Sequence, residues 1–378
     1  MSLTNFINDS AVYKDFILQY IPRKSDFYTL SGKQPFSTVY DLLVPNNKLG
    51  SVNSSISGTA FDYLARYRIA QKISYDYPLN IIENTVAKQG LDIILRKATK
   101  KQAIVFQTRY QSAIDDLLRF IRNELDVSVV VKHLIYFAKL EMTFRSGGLL
   151  PKDGLMSILT ISDKIVDDLL KLFDVFEANF IQNIVSVHSR VIFNPTFGHY
   201  SNLIGGADAD IIIDDTLYDF KTIIKSGYSW KHAAQLLSYY FMNILNLSID
   251  DDSGILKSSS LNVSHLALYY ARYGECCVYD TNNLKDYYNE ILTWFVNFFD
   301  KLENEKDFFL KCFIKETQDI QSFDRIAFKH YRTSNKLTQN DMAKILWVSQ
   351  KTVKCWELGY SSPSSQNIKR INSILYTT

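Results

Sequence analysis

Gly205–Thr222 reads GGADADIIIDDTLYDFKT and places Asp208, Asp210, Asp219 and Lys221 beside a run of three isoleucines. Ile, Tyr, Phe and Thr dominate both Asp208–Ile213 and Leu217–Ile224, with Asp214 and Asp215 between them, which reads as a β-hairpin. A two-residue loop at Asp214-Asp215 sets Asp210 opposite Asp219 and Asp208 opposite Lys221, with their side chains on one face. Two carboxylates about 5 Å apart repel unless a cation compensates them, so the pattern calls for a divalent metal ion. Lys221 follows Asp219 by two residues, shares its face, and can orient or activate a water. Ile211–Ile213 read as the core of a strand covered on both faces. Tyr218 and Phe220 read as packing groups.

The elements that must position these groups lie around the hairpin. SVHSRVIFNP precedes it, Trp230–Leu245 has helical spacing, and HLALYYARYGECCVYD is strand-like. Gln235 and Tyr239 fall one turn apart on one face of that helix. Asp210 followed by Asp219-Phe220-Lys221, in this order of elements, resembles the PD-(D/E)XK nuclease superfamily, D-x(n)-[D/E]-x-K. Gln235 and Tyr239 resemble the Q-x-x-x-Y signature of its RecB-like branch.

The resemblance implies an α/β protein with a restriction-endonuclease-like core, a mixed sheet flanked by helices, that hydrolyses DNA phosphodiesters with Mg²⁺ or Mn²⁺. It also implies that Asp210, Asp219 and the carbonyl of Phe220 hold the metal, that Lys221 serves the water and the phosphate, and that Gln235 and Tyr239 border the site. SGTAFDYLARYRIA, from Ser57, resembles the first helix of that branch, which often begins G-x-x-x-H. Asp62 stands in the histidine position and is either a substitute ligand or a surface residue, the second reading being favoured. Glu141, in HLIYFAKLEMTFRSG, either borders the site or is a solvated helix acid. The cysteine quartet that holds an iron–sulfur cluster in some RecB-like nucleases has no counterpart. Cys276, Cys277, Cys312 and Cys355 also lack the paired spacing of a zinc site.

The charge is unevenly distributed. Residues 325–378 carry nine Lys or Arg against Asp341 and Glu357, a net +7, while the rest of the chain is net −5. A basic module on a mildly acidic body favours a polyanionic partner. Within it, LTQNDMAKILWVSQKTVKCWELGYSSP, Leu337–Pro363, supplies a cap at Thr338 with Asp341 three residues on, then an apolar stripe of Met342, Ala343, Ile345 and Leu346. Ser349 caps a second helix, Val353 and Trp356 share a face, and Gly359 ends it. The segment resembles the helix-turn-helix of the Cro and phage-repressor class. That resemblance implies duplex DNA as partner, with Gln339 on a phosphate, Gln350, Lys351 and Cys355 toward base edges, and Ser349, Thr352 and Lys354 near the backbone. Trp347 stands where that class usually has a turn glycine. Proteins of this class usually pair to read two half-sites, which is compatible with a homodimer.

With 378 residues and 47% hydrophobic content, the chain can bury a large core. The expected organisation is a nuclease-like body over 1–320, with a helical elaboration around 85–183, and a small all-α helix-turn-helix domain over 325–378. DDLLRFIRNEL and KIVDDLLKLFDVFEANF read as amphipathic scaffold helices, residues 283–303 as a closing helix, and Lys315–Ser322 as the linker. Met1–Phe16 lacks the pattern of a secretory signal and no apolar run approaches a membrane span, so a cytoplasmic protein without a membrane partner is expected. Restriction or phage defence fits the nuclease reading. Two alternatives stay open: a DNA-binding regulator or antitoxin-like protein with an inactive nuclease-fold body, and a nuclease for RNA or single strands.

Overall fold

A six-stranded mixed sheet is built around the Asp214-Asp215 turn in the computed structural model, which describes residues 3–45, 49–248, 262–318, 323–346, 348–359, 361, 363, 367–368, 370–371 and 374. Its strands are β1 (Phe27–Thr29), β2 (Val191–Phe193), β3 (Ile211–Ile213), β4 (Thr216–Lys221), β5 (His265–Tyr270) and β6 (Glu275–Asp280), in the spatial order β1-β6-β5-β4-β3-β2. Only β4 and β5 pair in parallel; the other neighbours are antiparallel.

Helices α1 (Leu3–Asp9) and α2 (Ala11–Tyr20) precede β1. Seven follow before β2: α3 (Gly50–Lys72), α4 (Pro78–Glu83), α5 (Val86–Lys97), α6 (Lys100–Ile121), α7 (Val127–Arg145), α8 (Asp163–Phe176) and α9 (Gln182–Ile184). Helix α10 (Gly198–Leu203) joins β2 to β3, α11 (Trp230–Ser248) is the crossover that the parallel β4–β5 pair requires, and α12 (Tyr288–Gln318) follows β6. The chain separates into two compact units, Met1–Asn297 and Phe298–Thr378. The second contains α13 (Arg325–Ser334), α14 (Gln339–Leu346) and α15 (Gln350–Leu358). Among the described residues, no helix is long and apolar enough to cross a membrane.

Strand alternation decides which side chains face which layer. Ile211, Ile213, Tyr218, Phe220, Ala267 and Tyr269 share one core with residues of α3 and α5–α8. Phe61, Phe176, Phe180, Phe220 and Tyr269 interlock there with ring centroids 4.9 to 6.1 Å apart, mostly edge to face, a geometry that suits the ring quadrupoles. Asp219 and Lys221, one step out of phase, take the opposite face, toward α11. Helix α3 can press against the end of β4 because residue 58 is glycine: an added Cβ would lie 2.8 Å from Thr222 Oγ1.

A buried ion pair braces the same corner. Arg272, in the turn between β5 and β6, is 1% exposed and donates to both carboxylate oxygens of Asp168 on α8 at 2.8 Å. It also donates to the carbonyls of Thr222 (2.6 Å) and Val44 (3.2 Å), and Ser57 Oγ donates to Asp168 Oδ2 (2.6 Å). These bonds tie α3, α8 and the residue after Lys221 into one structure.

Several expected boundaries differ. The hairpin register is as expected, with Ile211 opposite Tyr218 and Ile213 opposite Thr216. However, β3 begins at Ile211, not Asp208, and β4 ends at Lys221, not Ile224. Asp208 forms an isolated bridge with Thr196, so it is not paired with Lys221. HLALYYARYGECCVYD is two antiparallel strands, because the chain turns back at Ala271–Gly274. The edge strand β1 was not foreseen. The closing helix starts at Tyr288 and runs to Gln318, so the expected linker is helical over 315–318, and its remainder, 319–322, lies outside the described residues.

Candidate functional site

The groups expected to carry chemistry meet in a cavity of about 670 Å³ in the first unit, lined by Asp62, Glu141, Asp208, Asp210, Asp219, Phe220, Lys221, Gln235 and Tyr239 together with Tyr63, Arg66, Arg145 and Asn194. Asp219 is 4% exposed and forms an ion pair with Lys221 Nζ. Asp210 reaches the same place from the chain just before β3, and its Oδ2 accepts the backbone N–H of Phe220 at 2.6 Å. That bond holds the two carboxylates close together even though Asp210 lies outside the ladder. On α11, Gln235 Oε1 accepts from Lys221 Nζ at 3.3 Å, and Gln235 Nε2 donates to Tyr239 Oη at 2.8 Å. Tyr239 is in turn stacked on Phe197. The helical spacing of Gln235 and Tyr239 is thus realised as a relay that orients the amine.

The electrostatics are those of crowded carboxylates. Burial, then the charge of Asp219, pushes Asp210 up to about 7 against the opposing effects of Lys221 and the Phe220 N–H. Burial, then Asp210 and Glu141, holds Asp62 well above the carboxylate range. Burial pulls the Lys221 ammonium down, but Asp219 and Asp210 outweigh it and hold its pKa above the usual lysine value. The shift favours the charged form of Lys221 in this arrangement.

These shifts have a consequence for stability. The Asp210 carboxyl has a folded pKa above its unfolded value of about 4, so its contribution is fully present below about pH 4 and is lost as pH rises through about 7. In chelator, Asp210→Asn should therefore melt above the parent protein, by up to about 2 kcal/mol, with the gap full above pH 7 and closing toward pH 4. Melting curves across that range check it; a gap that widens on acidification contradicts the assignment.

Asp62 does not occupy the surface position favoured for it. Phe61 is locked into the aromatic core, which turns the next residue of α3 into the cavity. Glu141 also lines the cavity, buried to 8% exposure, accepting from Tyr63 Oη (2.6 Å) and from Arg145 Nε (2.6 Å). Among the described residues, no three His, Cys, Asp or Glu side chains converge closely enough to hold a metal ion by themselves. A metal here would need the Asp210–Asp219 pair with backbone or water oxygen, and the placing of the Asp210 carboxylate on the Phe220 N–H, next to Asp219, is what fits a cation to that pair. Arg66, Tyr63 and Asn194 were not singled out from the sequence. The available signal was the spacing Gly58, Asp62, Arg66, which is one face of α3.

In the second unit, Phe328, Met342, Ala343, Leu346, Val353, Trp356 and Ile371 form the core. Thr338 and Asp341 close a capping box on α14, and Ser349 Oγ accepts from Thr352 N at the start of α15. Gln350, Lys351 and Lys354 are exposed along α15, with Thr352 and Cys355 partly buried. Gln339, expected on a phosphate, donates to Glu357 Oε2 (2.8 Å), which with Glu357 Oε1 also takes the Arg332 guanidinium (2.5 and 3.0 Å). Trp347, the departure from the turn pattern, lies outside the described residues.

Residues 328–375 match the family model described as Helix-turn-helix. The C-terminal unit thus carries an XRE-type helix-turn-helix domain, a fold that implies DNA as its partner. No curated protein and no solved structure matches the chain.

Proposed function

We propose that the protein is a metal-dependent deoxyribonuclease brought to duplex DNA by its helix-turn-helix. The observation that carries this reading is the constellation of Asp210, Asp219 and Lys221 on the cavity wall, with Gln235 and Tyr239 behind the amine. The order helix α3, strands β2–β4, helix α11 and strand β5 also suits a restriction-endonuclease-like core.

Asp210 and Asp219, with the carbonyl of Phe220, would hold Mg²⁺ or Mn²⁺, which when bound supplies a Lewis acid and lowers the pKa of water. Lys221 donates from Nζ to the phosphate or to the attacking water, and so stabilises the negative charge that develops in the transition state. Gln235 restricts its direction, and Tyr239 restricts Gln235. Asp208 and Glu141 contribute negative charge to the cavity wall, and Asp62 lines it beside them. The helix-turn-helix raises the local concentration of DNA at the body, and two copies reading two half-sites would form a homodimer.

Incubation with supercoiled and linear plasmid in Mg²⁺, Mn²⁺ or EDTA tests the reading: metal-dependent cutting is expected, and circular DNA that survives every metal overturns it. A second reading, a DNA-binding regulator with a silent body, is favoured by the absence of a three-ligand cluster among the described residues. That reading would leave plasmid intact while sequence-selective gel shifts persist.

DNA recognition has its own test. Gln350→Ala should cost about 1–3 kcal/mol at one base position of the preferred site. Lys354→Ala should weaken binding about equally for all sequences and lower the salt slope by about one. Fluorescence anisotropy against site variants at several salt concentrations separates the two, and identical behaviour of both variants would refute the assigned roles.

A further inference from the structure

Three cations border the cavity, and two of them are committed. Lys221 pairs with Asp219, and Arg145 with Glu141. Arg66 makes no ion pair among the described residues, although its charge is felt by Asp62, Asp208 and Asp210. Its guanidinium lies 5.4 Å from the centroid of the Tyr63 ring, its Nη2 donates to Asn194 Oδ1 at 2.9 Å, and its Nε is buried with no acceptor. A guanidinium has five N–H donors, and one bond to a neutral amide leaves most of those donors without an acceptor.

The residue that holds it is itself unusual. Asn194 has φ 49 in the left-handed region, where a side chain costs energy. Its backbone N–H donates to the Asp210 carbonyl at 3.1 Å while its side chain holds Arg66. One strained residue therefore fixes the arginine relative to the acidic pair, and fixes it without letting it pair with either acid.

We propose that Arg66, set in place by Asn194, is the phosphate-holding group of this cavity: its fork takes non-bridging oxygens of a nucleic-acid phosphate beside Asp210. A planar fork suits that ligand, since it can make two parallel charge-assisted bonds to one phosphate. The inference rests on reading the cavity as a phosphodiester site and adds a substrate contact that the Asp-Asp-Lys set does not contain. Arg66 touches the substrate; Asn194 is a positioning residue.

The test uses the full chain and thymidine 3′,5′-bisphosphate with Ca²⁺, a probe too small to engage the helix-turn-helix. By calorimetry, Arg66→Gln should weaken binding about 10- to 100-fold, while Arg66→Lys keeps the charge, loses the fork and retains part of the affinity. Asn194→Gly should weaken binding by less, and its effect should vanish in the Arg66→Gln background, which a merely structural role would not produce. Melting curves show whether each variant is folded. Equal binding by the parent and a folded Arg66→Gln overturns the proposal, as does a parent that does not bind the probe. Plasmid cutting is scored separately: Arg66-dependent binding without any cutting keeps the phosphate site and ends the nuclease reading, whereas cutting that ignores Arg66 does the reverse.

Discussion

Lys221→Ala should reduce metal-dependent cutting of circular plasmid by about 10²- to 10³-fold while leaving the affinity of the helix-turn-helix for its DNA unchanged. The amine is the charged donor beside Asp210 and Asp219, and it is aimed by a bond to Gln235 that Tyr239 supports. Truncation to Ala removes the donor and also leaves two carboxylates less compensated, so the variant should bind divalent ions at least as tightly as the parent. Single-turnover cutting rates and metal titration, run side by side, separate lost chemistry from lost metal. Full cutting by Lys221→Ala would remove the amine from the mechanism. Gln235→Ala should show a smaller loss in the same assay, because the amine stays and only its orientation is freed.

Arg272→Ala should destabilise the first unit by about 3–5 kcal/mol, because it abandons Asp168 as a buried charge. Asp168 is 0% exposed and meets Arg272 through two bonds of 2.8 Å. The total stability of a domain is of order 5–15 kcal/mol, so this loss is a large part of the whole. Thr222 would lose the donor that holds its carbonyl, and Lys221 is its neighbour. Cutting should therefore decline before the protein unfolds globally. Replacing both partners, Arg272→Met with Asp168→Leu, removes both charges and should recover much of the stability. Denaturant midpoints of the three variants check this; an Arg272→Ala midpoint equal to that of the parent would show the pair to be dispensable.

What could be read in advance was local. The turn at Asp214-Asp215 sets the pairing of Ile211 with Tyr218, because hairpin register depends on loop length and on which residues face the core. The helix pair around Ser349 rests on caps and an apolar stripe within one short segment, and residues 328–375 match the helix-turn-helix model. Gln235 and Tyr239 lie one helical turn apart, so their meeting needed only a helix.

Other features required the chain to be brought together over long distances. Asp62 and Glu141 face the cavity because α3 and α7 are packed by aromatic and aliphatic contacts that no spacing along the chain encodes. The Arg272–Asp168 pair spans 104 residues, and the bond from Arg66 to Asn194 spans 128. Strand β1 exists only because the N-terminal segment reaches the free edge of β6. Asp208 and Asp210 show the boundary between the two regimes. The local pattern placed them in a ladder facing Asp219 and Lys221. The fold ends that ladder at Ile211 and uses the Asp210 carboxylate to cap the Phe220 N–H, because a buried donor and a buried acid each need a partner. Residue types and their spacing are properties of the chain, whereas membership of one cavity comes from folding, since burial and charge act between neighbours in space and not along the chain.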